Sequence, residues 1–547
     1  MKLESGNPDI DQHQRRGSGG VIVACLLVGL MVLVFAPVVF GAGQGINSDS
    51  IREGFGLIRS GGFVLFLRSL LIAGLISGLA VILGVPLAKL MIEGARGWSA
   101  SFALVVGFVP LWLPSYALYG AMNLARAPDT LVGNWLVSYS TSSPDRRWVT
   151  IWAGYLIAVL GLSLWGSVIA AAVIASGSKR QTIYTDMMDL EPAGIVTRAR
   201  VWVGMHRGAV ARAWGVVGLV MLGSGVPLHL AQLDTWSIVV WRALSERGPD
   251  SWGAVWVLGS PMVLIGIAGA WWVTHRVVLD PTSREIGERG HDDVGDDQSQ
   301  RGAGRLVLIL AGVVWVLAAV VPAAVLSVSI DDWRSMGLFW TERRDALMHS
   351  GSIGFGVGIV GCMCSAGVAC VLGDRSRFVR RVGVGCVFMG MSGALVPGVL
   401  VGSSIAGAGG VYSGVIGEFA GLLARVLVIG VVVGAVVAGR ERGELVSQRW
   451  SVGSGVLGWW MVHGKRAILA YLGAGVLCGL LAVHEIEASV MITRAGVSTM
   501  SQGLLADLHY ARLERLSAAL LNLMGAGFLI SLFGGALIWQ WNREVAD

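Results

Sequence analysis

Apolar residues in this chain gather into long continuous runs, not into the alternation of half-buried strands. Twelve runs stand out, at 21–41, 69–92, 102–124, 149–174, 211–230, 253–275, 306–329, 352–373, 383–405, 414–438, 466–483 and 517–540. A helix needs roughly 20 mainly apolar residues to cross a bilayer, and each run is close to that length. Lipid offers no hydrogen bonds, so a spanning segment must be a helix or part of a closed barrel, whose strands would turn polar at every second position. The pattern predicts an all-α polytopic membrane protein with about twelve transmembrane helices.

The longest interruption is DPTSREIGERGHDDVGDDQSQRGAGR, residues 280–305, rich in charge, Gly and Ser and without apolar periodicity. It reads as a linker and divides the runs six and six. The expected organisation is a tail over 1–20, a first six-helix domain over 21–276, a linker over 277–304 and a second six-helix domain over 305–547.

Composition agrees with the pattern. Only 14% of residues are charged, against about 25% in a soluble domain, and mean hydropathy is +0.69. The 79 glycines and 22 tryptophans suit closely packed membrane helices with anchors at headgroup depth, and neither count names a function. All six cysteines lie inside apolar runs, which argues against a disulfide framework, and CMCSAGVAC (362–370) reads as buried small residues in preference to a soft-metal site. The first run is too long for a signal-peptide core and is expected to be a retained helix. With the N-terminus inside, Lys and Arg favour the inner segments over the outer loops by roughly two to one, which places both termini in the cytoplasm and leaves no nucleic-acid footprint.

The two halves echo each other. VPLWLPSYALYGA (109–121) lies in the third run and MSGALVPGVLVGS (391–403) in the ninth, so Pro114 and Pro397 correspond. A proline there interrupts the helix, which is tolerated where neighbouring helices or a cavity satisfy the freed carbonyls. Each half also has a long segment between its fourth and fifth runs, SGSKRQTIYTDMMDLEPAGIVTRARVWVGMHRGAV and GRERGELVSQRWSVGSGVLGWWMVHGKRAIL. Such length suggests a docking surface, the plainer reading being an amphipathic helix lying on the membrane.

LEPAG (190–194), RVWVGMHRGAV (200–210), ALVPGVLVG (394–402), GLLARVLVIG (421–430), QRWSVGS (448–454), WMVHGKRAIL (460–469), HEIEASVMI (484–492) and STMSQGLLADLHYARLERLSAALLNL (498–523) follow one another in a familiar order. LDTWSIVVWRAL (233–244) is a first-half counterpart of VSTMSQGLLADL. In these stretches the sequence resembles the fused, two-domain permeases of ABC importers of the ferric-iron, thiamine and related type. The resemblance implies two homologous six-helix halves, each with a cytoplasmic coupling loop that begins Glu-Ala-Ala, continues to a Gly and ends near Leu-Pro. It places Glu191, Ala193 and Gly204 in the first coupling loop and Ser447, Gly453 and Gly464 in the second. The interval from Glu191 to Gly204 is shorter than the family's, Gly204 and Gly464 stand where the family has proline, and Ser447 stands where it has glutamate.

The resemblance further implies a bacterial inner-membrane transport subunit that is not an enzyme and binds no cofactor. ATP and Mg would sit on two copies of a cytoplasmic ATPase, and an extracytoplasmic binding protein would deliver a small solute such as ferric iron. GWWMVHGKR (458–466) is not a nucleotide site of this chain's own, since five residues separate its glycines where a phosphate loop has four, and Arg466 replaces the Ser/Thr that would hold magnesium. The runner-up is an ion-coupled secondary transporter built from two six-helix repeats. The long basic loops and the scarcity of acids within the runs favour the importer.

Acids do gather in one place, LLAVHEIEASVMITRAG (480–496), where an apolar run ends on His484, Glu485 and Glu487. Glu485 aligns with an acid of the family, and Glu487 takes what is usually a proline. HEIEA lacks the second His of a zinc-binding HExxH helix. Glu485 is expected either to line the translocation path or latch a gate, with Arg425 as its partner, or to be an ordinary exposed helix end. Arg425 is nearer the middle of its run, so a carboxylate or backbone carbonyls are its expected partners, whereas Arg68 is expected to snorkel to the interface. Pro114, Pro397, Arg425 and Glu485 are thus the candidate path or gate residues.

Overall fold

The computed structural model describes residues 18–93, 107–124, 126, 131–141, 147–177, 195–231, 233–247, 252–278, 305–374, 376–439, 459–494 and 496–546. Among these residues the regular structure is helical, with no strand. Among the described residues ten helices are long and apolar enough to cross a membrane, and their outward faces leave Leu26, Leu71, Leu264, Phe355 and Leu529 exposed, as lipid-facing surfaces require. The protein is therefore an all-α polytopic membrane protein. The third and fifth runs are not among the ten. Residues 102–106 of the third run lie outside the described residues and its described part continues after Pro114 as the helix Ser115–Leu124, while the fifth run divides at Ser224 into Arg207–Gly223 and Val226–Leu230.

The chain forms two compact units that cut across the sequence halves. The first comprises Met1–Ile46, Ser260–Gly295 and Ser350–Ala495. Its centre is the helix Val415–Gly439, packed against Arg377–Leu395 and Lys465–His484, while the N-terminal helix Ser18–Gly45 lies on Arg377–Leu395 and Gly398–Ala408. Glycine sets the closest approach. A Cβ on Gly475 would stand 2.7 Å from the carbonyl oxygen of Gly358, and one on Gly479 would stand 2.6 Å from that of Gly354, so the helices Lys465–His484 and Arg344–Leu372 touch backbone to backbone. Trp459, Tyr471, Ala467, Ala369 and Cys370 form a buried cluster at one end of this packing.

The second unit comprises Asn47–Gly259, Asp296–His349 and Gly496–Asp547. Here Phe63–Glu93 and Arg147–Gly177 pack along their lengths, and Arg207–Gly223 contacts both. Trp236 anchors the helix Trp236–Arg247: its ring is fully buried, Nε1 donates to the Leu258 carbonyl at 3.0 Å, and its own N–H donates to Ser69 Oγ at 2.7 Å. The helix Arg305–Trp315 lies on Phe63–Glu93, Val321–Val328 lies on Ser115–Leu124, and Leu513–Ala546 lies on the turn at Val109–Trp112, where Trp112 Nε1 donates to Ser531 Oγ at 3.1 Å.

Each unit therefore combines inner helices of one sequence half with first- and last-run segments of the other: residues 18–45 and 260–278 join the second-half bundle, and 305–328 and 513–546 join the first-half bundle.

Candidate functional site

In the first unit the helix Arg377–Leu395 stops where the sequence reaches Pro397. The residue before a proline is driven out of the helical region, and Val396 is extended at φ −72° and ψ 135°. A new helix, Gly398–Ala408, starts at once, with the Pro397 carbonyl accepting from the N–H groups of Leu400 and Val401 at 3.0 and 3.2 Å. A break of this kind orphans the last carbonyls of the first helix. Arg425, on Val415–Gly439, satisfies two of them: Nη1 donates to the Ala394 carbonyl at 2.7 Å and also to the Val396 carbonyl.

The second unit holds the same device at Pro114. Leu113 is extended at φ −95° and ψ 136°, and the helix Ser115–Leu124 follows with the Pro114 carbonyl accepting from Ala117 and Leu118 at 2.9 and 3.0 Å. The orphaned Leu113 carbonyl accepts from Trp165 Nε1 at 3.0 Å, and Trp165 lies on the helix Arg147–Gly177. Sequence reading passed over Trp165, although a signal was present. GLSLWGSVI (161–169) and GLLARVLVI (421–429) share Gly, Leu, Val and Ile in one register, which sets Trp165 opposite Arg425.

Glu485 ends the helix Lys465–His484. Its backbone is extended at φ −71° and ψ 121°, and its N–H donates to the Ala482 carbonyl at 3.3 Å. One carboxylate oxygen accepts from the Ala488 N–H at 3.3 Å and stands 3.6 Å from Arg425 Nε. The side chain keeps 16% of its surface, so the exposed helix end is not what the fold builds here. Glu487 is buried beside it, and both carboxylates crowd Gly398: a Cβ there would stand 2.8 Å from Glu485 Oε1 and 2.7 Å from Glu487 Cβ. Gly398 is the first residue of its helix, so two acids meet the positive end of that helix dipole. The first unit thereby joins Pro397, Arg425 and Glu485 into one cluster, while Pro114 belongs to the second unit.

The corresponding place in the second unit is neutral. The helix Arg207–Gly223 ends at Ser224, extended at φ −91° and ψ 101°, with its N–H donating to the Met221 carbonyl at 3.3 Å. The chain restarts as Val226–Leu230, as it restarts as Ser489–Ile492 after Glu485.

Of the proposed coupling residues, Glu191, Ala193, Ser447 and Gly453 lie outside the described residues. Gly204 is exposed near the end of the helix Ile195–Met205, with open space where a side chain would be. At His206 the chain leaves the helix, and its ring stacks on Trp202 with centroids 4.3 Å apart. Gly464 closes a wide π turn, Trp460–Gly464, that leads directly into Lys465–His484. A Cβ at Gly464 would stand 2.4 Å from the Trp460 ring, so the ring leaves no room for a side chain there.

A second ion pair was also passed over. Arg343 Nη2 donates to Asp507 Oδ2, and the Asp507 side chain keeps only 1% of its surface. Asp507 interrupts the apolar face of Met500–His509, and that lone acid among leucines was the available signal. Arg343 reaches it by lying over Gly503, where a Cβ would stand 2.3 Å from Nη1. Comparison with protein-family models, curated proteins and solved structures gives no significant match.

Proposed function

We propose that this chain is the transmembrane permease subunit of an ATP-driven importer. It passes a small solute, with ferric iron the favoured candidate, from an extracytoplasmic binding protein to the cytoplasm. Hydrolysis takes place on two copies of a separate ATPase beneath it, and the chain sits in a bacterial inner membrane with both termini cytoplasmic. The observation that supports this reading most directly is the pair of matched helix breaks at Pro114 and Pro397, each held by one donor from an equivalent position on a neighbouring helix. Broken helices put non-helical backbone at membrane depth, which is tolerated only where protein or a water-filled path covers it, and transporters use such breaks. Each unit also takes its first- and last-run segments from the other sequence half, a common plan that fits two homologous halves.

In this reading the work is conformational. The segments 187–207 and 447–465 receive the movement of the ATPases, and the helices they feed, Arg207–Gly223 and Lys465–His484, carry it to the breaks. A hinged element with two packings is the physical requirement. The test is purification of the tagged full-length chain from its native host under mild conditions. An ATPase should accompany it, and substitutions within 187–207 and 447–465 should lower hydrolysis in vesicles. Absence of an ATPase, together with hydrolysis indifferent to those substitutions, would overturn the proposal.

A further inference from the structure

Trp165 and Arg425 do the same job with different chemistry. Both donate to the carbonyl of the residue preceding a break proline, Leu113 in one case and Val396 in the other. An indole has a single N–H, and Trp165 is 8% exposed, so moving it away would strand the Leu113 carbonyl in a buried place. A guanidinium has five N–H groups in a planar fork. Two of its acceptors are the Ala394 and Val396 carbonyls, and a third, Glu485, waits at 3.6 Å, beyond hydrogen-bonding reach. Arg425 Nε is buried and makes no hydrogen bond among the described residues. Less than 1 Å of approach would give it one to Glu485, roughly the difference between the present separation and a charge-assisted bond.

Glu485 is the capping residue that directly follows the helix Lys465–His484, and its N–H is bonded back to the Ala482 carbonyl, so a shift of that helix moves the carboxylate with it. Building on the permease reading, we infer that Arg425 is a positioning residue shared between Glu485 and the Pro397 break, releasing the break as Lys465–His484 advances, whereas Trp165 keeps the Pro114 break closed. The second-half break is the moving one, and the first-half break is its fixed counterpart. The neutral Ser224, at the place equivalent to Glu485, leaves Trp165 without a rival acceptor of this kind.

The competition has a sign that distinguishes it from simple structural support. The N–H groups of Leu400 and Val401, bonded to the Pro397 carbonyl, report on one break, and those of Ala117 and Leu118, bonded to the Pro114 carbonyl, report on the other. Hydrogen exchange is measured on the purified full-length chain in nanodiscs, for wild type, Glu485→Gln and Glu485→Asp. Weakening or withdrawing the rival carboxylate should commit Arg425 to the break and slow exchange at Leu400 and Val401 by about tenfold, more in the Gln variant than in the Asp variant, with Ala117 and Leu118 unchanged. Faster or unaltered exchange at Leu400 and Val401 would show that Glu485 merely supports the break and would overturn the inference. The readout needs neither ATPase nor substrate, so its failure is separable from failure of the permease reading, which co-purification decides.

Discussion

Arg425 and Glu485 stand 3.6 Å apart, yet the guanidinium gives its hydrogen bonds to the carbonyls of Ala394 and Val396 instead. One side chain therefore closes a helix break and neutralises a carboxylate. Arg425→Gln should destabilise the protein by about 3–5 kcal/mol, because it strands both the acid and the carbonyls in a buried place. Arg425→Lys should lose less, since an ammonium keeps the charge but cannot present a planar fork. Thermal unfolding in detergent should rank wild type above Lys above Gln. A Gln variant that melts with wild type would refute the arrangement.

Gly398 admits Glu485 and Glu487 to the first turn of its helix, and no larger residue would fit without displacement. Gly398→Ala should cost about 1–3 kcal/mol, the usual range for overpacking, since the Glu487 Cβ it meets is not a flexible side-chain end. Gly385, in the preceding helix Arg377–Leu395, has nothing within 4 Å of a Cβ. Gly385→Ala should be neutral or gain up to about 1 kcal/mol from helix propensity. Equal melting temperatures for the two alanine variants would contradict this.

Much of this was legible in the chain itself. Apolar runs longer than any soluble helix needs foretold the polytopic helical fold, and the Pro114 and Pro397 breaks followed from the rule that the residue before proline leaves the helix. Arg425 was legible because a mid-run arginine must find carbonyls or a carboxylate. Trp165 was not, because a tryptophan in an apolar run raises no electrostatic demand, and only its register against Arg425 betrays it. The division of the chain into units was also hidden. Hydropathy marks where a helix begins and ends, but not which bundle it joins, and the helix 18–45 packs at glycine contacts with residues distant in sequence. Gly41, for example, is cleared for the Ser404 carbonyl.

The packing of Lys465–His484 on Arg344–Leu372 rests on Gly354, Gly358, Gly475 and Gly479. Gly475→Ala would set a methyl 2.7 Å from the Gly358 carbonyl oxygen, where no rotamer change can relieve it. The helices should part, at a cost of about 1–3 kcal/mol. Gly473→Ala, on the same helix with open space around it, is the control and should melt no lower than wild type. The comparison also bears on the proposed gate, since Glu485 rides at the end of this helix: a displaced helix should alter exchange at Leu400 and Val401 in Gly475→Ala and not in Gly473→Ala.

Asp507 and Arg343 join the helix Met500–His509 to the turn between Arg334–Glu342 and Arg344–Leu372. A buried pair is weak evidence of net stabilisation, but removing one partner leaves an uncompensated charge, which typically costs about 3–5 kcal/mol. Asp507→Asn should therefore lower the melting temperature sharply, although it changes neither size nor shape. Because Asp507 Oδ1 makes no hydrogen bond among the described residues, the cost should lie almost entirely in the lost charge pairing through Oδ2. Arg343→Met should be about as harmful alone, leaving the carboxylate bare, while Arg343→Met combined with Asp507→Asn should recover part of the loss. A double variant whose destabilisation equals the sum of the two single changes would mean that the residues do not interact, and the pairing would have to be abandoned.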